Sequence, residues 1–198
     1  MIQLFKSFFY IFFLFFIGVS CSKDFSEQNI KINYPKNIVK IKGKYSVYIP
    51  PKKITLEKKF NSEDCESWAV RLDIDNLYKD SVRKLLLEMF EDIKFHSKQI
   101  EHDKIIKEGF ISQIFLDHKN PIATFHIEKN TAKFTIYLES KIVIHGNSKK
   151  IENSVNSNNS WSKNIFLGCN LNEGAHKATE EALERLISQI HIGIYESI

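Results

Sequence analysis

Seven histidines, a few closely spaced carboxylates and three cysteines are the residues of this 198-residue chain best equipped for chemistry. The histidines (His96, His102, His118, His126, His145, His176 and His191) are scattered, and no HExxH motif sets two of them one helical turn apart for a metal. His118, His126 and His145 fall on or beside stretches of strand-like alternation. Two of them facing each other across strands would make a metal site, whereas polar positions on a wet sheet face need no such role. Asp73 and Asp75 flank Ile74 at the start of a helix pattern, with Glu66 and Asp80 the nearest other carboxylates. A pair so placed caps a helix more readily than it forms an acid/base couple. There is no GxSxG elbow, phosphate-binding glycine loop or EF-hand loop, and seven glycines leave little room for a phosphate cradle. The expectation is a non-enzymatic protein with no cofactor and no metal site.

The elements that hold these residues begin after an unusual N-terminus. Lys6 is followed by an apolar run from Phe8 to Ile17 and then by Gly18-Val19-Ser20-Cys21. A basic start, a short greasy segment and small residues before a cut site describe a secretory signal. As a helix, Phe8 to Val19 would rise only about 18 Å, short of a membrane core of about 30 Å. The stretch Ile17-Gly18-Val19-Ser20-Cys21 resembles a bacterial lipobox, with Gly18 where Leu is usual. The resemblance implies that the Cys21 thiol accepts a diacylglycerol and becomes the first residue of the mature chain. It further implies, from Ser22 in place of an Asp after the cysteine, anchoring at the periplasmic face of the outer membrane. The expected organisation is a signal peptide at 1–20, a lipidated tether at 21–43 and one domain at 44–198.

Cleavage removes seven of the sixteen Phe and Lys6, so the mature chain is less hydrophobic than the whole, and its net charge falls from +4 to +3. Lys is interleaved with Glu and Asp, which gives no nucleic-acid footprint. The pairs Lys52-Lys53, Lys58-Lys59 and Lys149-Lys150 read as solvated loop charges that also suit an anionic lipid surface. With Cys21 assigned to lipid, Cys65 and Cys169 remain. In an oxidising compartment an even remainder usually pairs; no CxxC is present, and a zinc site would need two further ligands. The expectation is a Cys65–Cys169 disulfide.

Alternation predicts strands over Lys44–Ile49, stopped by Pro50-Pro51, and over Trp68–Asp73, with a charged loop between them. Tyr78, Val82, Leu85, Leu86, Met89, Phe90 and Ile93 make one stripe of a helix from about Leu77 to Asp92, capped by Asp73, Asp75 or Asn76. After a polar connection around 97–108, strands are predicted at Phe110–Asp117, Ile122–Glu128 and Lys133–His145. Turns at Asn120-Pro121 and Lys129-Asn130 would fold them into an antiparallel meander with one wet face. A weak strand near Ile151–Val155 follows, and the Asn/Ser-rich stretch Asn153–Asn164 reads as a mobile loop or a poorly packed hairpin. Trp161 within it either pins the loop to the core or stands exposed as an anchor for a partner. From Glu173 to about Ile190, Ala175, Ala178, Ala182, Leu183, Leu186, Ile187 and Ile190 form a buried stripe. A charge at Leu186 should therefore disrupt the fold, and one at Glu184 should be nearly neutral.

This order of strands and helices behind a lipobox resembles the small outer-membrane assembly lipoproteins typified by LptE and YajG. The likeness spans roughly Lys44 to Ile190, and the chain departs from it in beginning Cys21-Ser22-Lys23-Asp24 without the usual Cys-Gly-Phe. It implies an α+β two-layer sandwich, a mainly antiparallel sheet with two helices packed on one face. It also implies a membrane-anchored envelope protein that docks to a membrane-protein or envelope-assembly partner, with a periplasmic lipid or small-ligand carrier as the alternative. No catalytic or binding motif of that family is present to carry over.

Overall fold

The computed structural model describes residues 22–24, 32–59, 69–128, 130–146, 149–164 and 172–198. In chain order the elements are β1 (Ser22–Asp24), β2 (Ile41–Tyr48), β3 (Thr55–Lys59), β4 (Ala69–Asp73), α1 (Asp75–Met89), β5 (Phe90–His96), α2 (His102–Lys107), β6 (Ser112–His118), β7 (Ile122–Glu128), β8 (Thr131–Gly146), β9 (Lys150–Asn164) and α3 (Asn172–Tyr195). The fold is α+β, with one sheet of six strands and one of three.

The large sheet runs β5-β2-β6-β8-β9, with β7 also lying against β8. It is mixed rather than mainly antiparallel: β2 pairs in parallel with both β5 and β6, while β8 pairs antiparallel with β6, β7 and β9. Parallel neighbours cannot be joined by hairpins and need crossovers. Here β3, β4 and α1 lie between β2 and β5, and α2 lies between β5 and β6. In the small sheet β4 pairs in parallel with β1 and antiparallel with β3.

The expected meander is corrected by the register. His118 faces Ser140 and Ile122 faces Tyr137, so β6 and β7 lie end to end along one edge of β8 and do not pair with each other. Asn120-Pro121 makes no reversal: it belongs to a bulge, three residues (119–121) on one side against two (138–139) on the other. The Lys119 N–H still donates to the Glu139 carbonyl across it. One extra residue exchanges the two faces of a strand. Ile114 and Leu116 reach the core from even positions, Ala123 from an odd one, and Ile122 is left exposed.

α1 buries Tyr78, Val82, Leu85, Leu86 and Met89, the stripe read from spacing. It stops earlier than that stripe implied, because Phe90 adopts extended backbone (φ −114°, ψ 145°) and opens β5 at once. Phe90 and Ile93 thus belong to a strand, with the Phe90 ring 4.6 Å from that of Tyr45. No side chain caps α1: Ile74 holds the N-cap position, and Asp75 instead binds Lys79 at 2.7 Å. α3 runs past Ile190, burying Ile194 as well, and its alanines let it lie close to β8 and β9. The buried faces of α1 and α3 join one cluster with Ile114, Leu116, Phe134, Ile136, Leu138 and Ile142 of the sheet. Ile100, Ile105 and Phe110, around α2, form a second and separate cluster.

Residues 32–40, assigned to the tether by composition, pack on the helices. Ile32, Tyr34 and Ile38 lie against the core, and the Asn33 backbone and side-chain N–H groups both donate to Glu184 Oε1, at 2.8 and 2.6 Å. Lys84 sits 4.3 Å from the centre of the Tyr34 ring, and Tyr195 donates to the Val39 carbonyl.

Candidate functional site

The residues singled out for catalysis do not converge. His118 is the most altered from expectation: it sits on the core face of β6, 2 % exposed, with its ring centre 5.1 Å from that of Tyr78. Tyr78 and Ser140 share a hydrogen bond of 2.6 Å beside it, and burial pushes the Tyr78 phenol far up. Burial, then the nearby Lys52 charge, pushes the His118 imidazole down, against the opposing pull of Asp117, Asp75 and the Lys52 backbone. Tyr, Ser and His in one place would interest an enzymologist, but all three are sealed from solvent. His126 is exposed, whereas His145 is half-buried on β8, and the described residues contain no group of three metal-ligating side chains. Asp73 is exposed and Asp75 is engaged by Lys79, so the pair does not form an acid/base couple. Cys21, Cys65 and Cys169 lie outside the described residues, and with them the lipidation site and the disulfide.

Two features do present themselves to solvent. The first is β9. Its 15 residues pair with β8 along their whole length, where sequence reading expected a mobile loop or a poorly packed hairpin. Of the positions facing α3, Val155 and Ser157 are buried and Asn153 and Asn159 are half-buried; Ser157 Oγ donates to the Ala182 carbonyl at 2.6 Å and Asn159 Nδ2 to Glu181 at 2.7 Å. Trp161 is half-buried, lying where any side chain at Gly174 would have to go. The indole therefore packs on the start of α3 and keeps part of its surface exposed.

The far side of β9 is open: among the described residues no strand pairs with it. The Asn158 carbonyl points that way, since it accepts from Arg185 at 3.2 Å. In an antiparallel pair alternate residues direct their backbone groups alike. Ser154, Asn156, Ser160 and Ser162 therefore also present N–H and C=O outward. Beside them runs a groove of about 500 Å³ between β9, α3 and the 33–35 segment, lined by Tyr34, Asn156, Asn158, Arg185, Ser188 and Gln189 among others.

The second feature lies on the opposite face of the large sheet, beneath α2. Gln113 of β6 stands between Ser46 of β2 and His145 of β8 in register. Gln113 and Ser46 are fully buried, and Gln113 Nε2 donates to Ser46 Oγ at 3.3 Å, which leaves Gln113 Oε1 without a partner. A cavity of about 420 Å³ opens there, walled by Ile100 and Ile105 and rimmed by Glu101, His102 and His145. Burial, followed by the Lys150 charge, holds His145 below its ordinary value. Sequence reading missed this site because it took α2 for a polar connection. The available signal was Ser112-Gln113, a polar pair inside the otherwise apolar stretch Phe110–Leu116.

The class this geometry defines is an α+β protein with a mixed sheet. No protein family matches the chain by sequence, and no curated protein matches it. Solved structures do match in shape. A homologue of a neuraminyllactose-binding hemagglutinin from Helicobacter pylori superposes with a TM-score of 0.52 at 15% identity, covering 82% of this chain and 89% of that one. That likeness establishes a shared fold. A Xanthomonas campestris protein described as DUF330 gives a TM-score of 0.49 at 9% identity, over 89% of this chain and 99% of its own. A minor lipoprotein from Acinetobacter baumannii gives 0.43 at 10%, over 80% of this chain and 95% of its own.

Proposed function

We propose that this protein is a non-enzymatic bacterial envelope lipoprotein, anchored by a lipid on Cys21 at the periplasmic face of the outer membrane, that docks a partner protein along β9. In this reading α1 and α3 form one layer on the large sheet, as in the LptE- and YajG-like assembly lipoproteins. The open edge of β9 carries the proposal. Edge strands are normally guarded by charge, proline or a bulge. From Asn153 to Ser162 this one has no charged residue and no proline, and the whole strand extends about 50 Å. An extended segment of a partner fits such an edge by adding a strand, with main-chain bonds for affinity and the groove beside Asn156 and Asn158 for its side chains. The carrier alternative would need room between the helices and the sheet, where Leu85, Leu86, Ile136 and Ile187 of the main cluster are fully buried.

Two experiments test the two halves. Labelled palmitate should enter the wild-type protein in a bacterial host and should be absent from a Cys21→Ala variant; equal labelling of both would remove the anchor. For docking, a photo-crosslinker placed at Asn156 should trap an envelope protein in intact cells, with the adduct mapping to a strand of that partner. Ser160→Pro deletes one outward N–H without touching the bonds to β8, and proline is tolerated on edge strands. The adduct should fall at least tenfold in Ser160→Pro, with an unchanged melting temperature. An adduct that survives at full yield would show that β9 is not where the partner adds.

A further inference from the structure

We propose that the cavity beneath α2 is a binding site for a small, neutral aliphatic alcohol, a site separate from the β9 edge and independent of the docking reading. Three observations carry this. The cavity's volume of about 420 Å³ falls within the range of small-molecule sites. Its walls, Ile100 and Ile105, are buried apolar side chains in a cluster that does not belong to the main core. A ligand there costs no contact that holds α1 and α3 on the sheet. Its floor holds Gln113, fully buried, half of whose amide has no partner.

A buried amide left half-satisfied carries a desolvation cost that a ligand can relieve. The amide offers an acceptor as drawn, and a donor if its oxygen and nitrogen are exchanged, a choice fixed only by the bond to Ser46. A hydroxyl satisfies either arrangement, because it both donates and accepts. An ionised head is disfavoured. Glu101 and His102 stay at the exposed rim, so neither a carboxylate nor an ammonium would find an opposite formal charge beside the buried Gln113 amide. The aliphatic tail then lies along Ile100 and Ile105, and the mouth opens past the exposed Gln99, Glu101 and His102.

The test is a titration of the full mature protein with 1-octanol, up to its solubility limit, followed by ¹H–¹⁵N NMR. The Gln113 side-chain NH₂ resonances and the backbone amides of residues 99–106 should shift along one saturating curve, while those of β9 stay put. Octanoate at neutral pH should bind at least tenfold more weakly. Gln113→Leu, which keeps the site apolar but removes the amide, should weaken octanol by about tenfold. Ile105→Trp should fill the cavity and abolish the response. Each variant is checked by its melt, which the separate main core should keep near that of the wild type. Absence of saturable shifts in the wild type would overturn the site. Equal octanol affinity in Gln113→Leu, or octanoate binding as tightly as octanol, would overturn the neutral-alcohol assignment.

Discussion

Leu186→Asp is expected to cost about 4 kcal/mol or more, most of the stability of a domain at the low end of the ordinary range of about 5–15 kcal/mol. Leu186 is 2 % exposed on the buried face of α3, between Ala182 and Ile190, which are fully buried. A carboxylate there has no cation within the stripe and must either ionise in an apolar layer or fold protonated at the expense of its normal hydration. The graded companion is Leu186→Ala, which leaves a cavity but no polar group and should cost about 2–5 kcal/mol. Lys177→Gln, at an exposed position of the same helix, should stay within about 0.5 kcal/mol of wild type. Chemical denaturation of the three variants reads the order directly. A Leu186→Asp protein as stable as Lys177→Gln would mean that α3 does not bury this face.

The helix phase behind that prediction was legible in the sequence, since Ala178, Ala182, Leu183, Leu186 and Ile187 can be sorted by spacing alone. Glu184 was not legible. Its position on the outer face suggests a blank surface charge, but it receives two hydrogen bonds from Asn33, 151 residues away. Glu184→Lys should therefore loosen the 32–35 segment rather than pass unnoticed. Spacing reports which face of an element is apolar and says nothing about which distant strand of chain settles on the other. The same limit explains β6 and β7. Each alternates well enough to be recognised as a strand, yet Asn120-Pro121 reads identically as a turn or as a bulge. Only the 16-residue length of β8, which can accommodate both strands end to end, tells the two apart.

β9 and β5 were hidden for different reasons. β5 follows α1 with no intervening loop, so Phe90 and Ile93 continue the helical stripe by coincidence of spacing. β9 buries small polar residues: Ser157 sits beneath α3 because a serine can satisfy its hydroxyl on the Ala182 carbonyl. Burial of that kind leaves no hydrophobic signal. The residues that carry the proposed docking edge are thus the ones whose composition reads as a mobile loop or a poorly packed hairpin. Gln113 fared similarly, because a polar pair in a strand does not disclose what lies above it.

Acidification should destabilise the protein from about pH 6.5 downward, and His118 should account for a measurable share of the loss. Burial is the leading cause that holds the imidazoles of His96, His118, His145 and His191 below their ordinary value in the folded state. Below about pH 6.5 the unfolded chain therefore binds protons that the folded chain refuses. Stability is fully present above the unfolded value, falls as the pH drops through it, and levels off only once the folded imidazoles protonate as well. His118 is the most buried of the four. Lys52 lies on the side of its backbone and pushes its imidazole down further, whereas Asp117 and Asp75 oppose that push without cancelling it. Glu152, held near a pKa of about 2 by Lys150 and Lys141, stays ionised through this range and does not mask the effect. His118→Leu keeps the approximate volume and removes an imidazole that sits 2 % exposed in the core. It should lie within about 1.5 kcal/mol of wild type at neutral pH. Urea unfolding at about pH 8 and about pH 5 should then give a smaller difference for His118→Leu than for the wild type. Equal differences would mean that the His118 imidazole takes up its proton as readily in the folded protein as in the unfolded chain, and that the core around Tyr78 and Ser140 admits water.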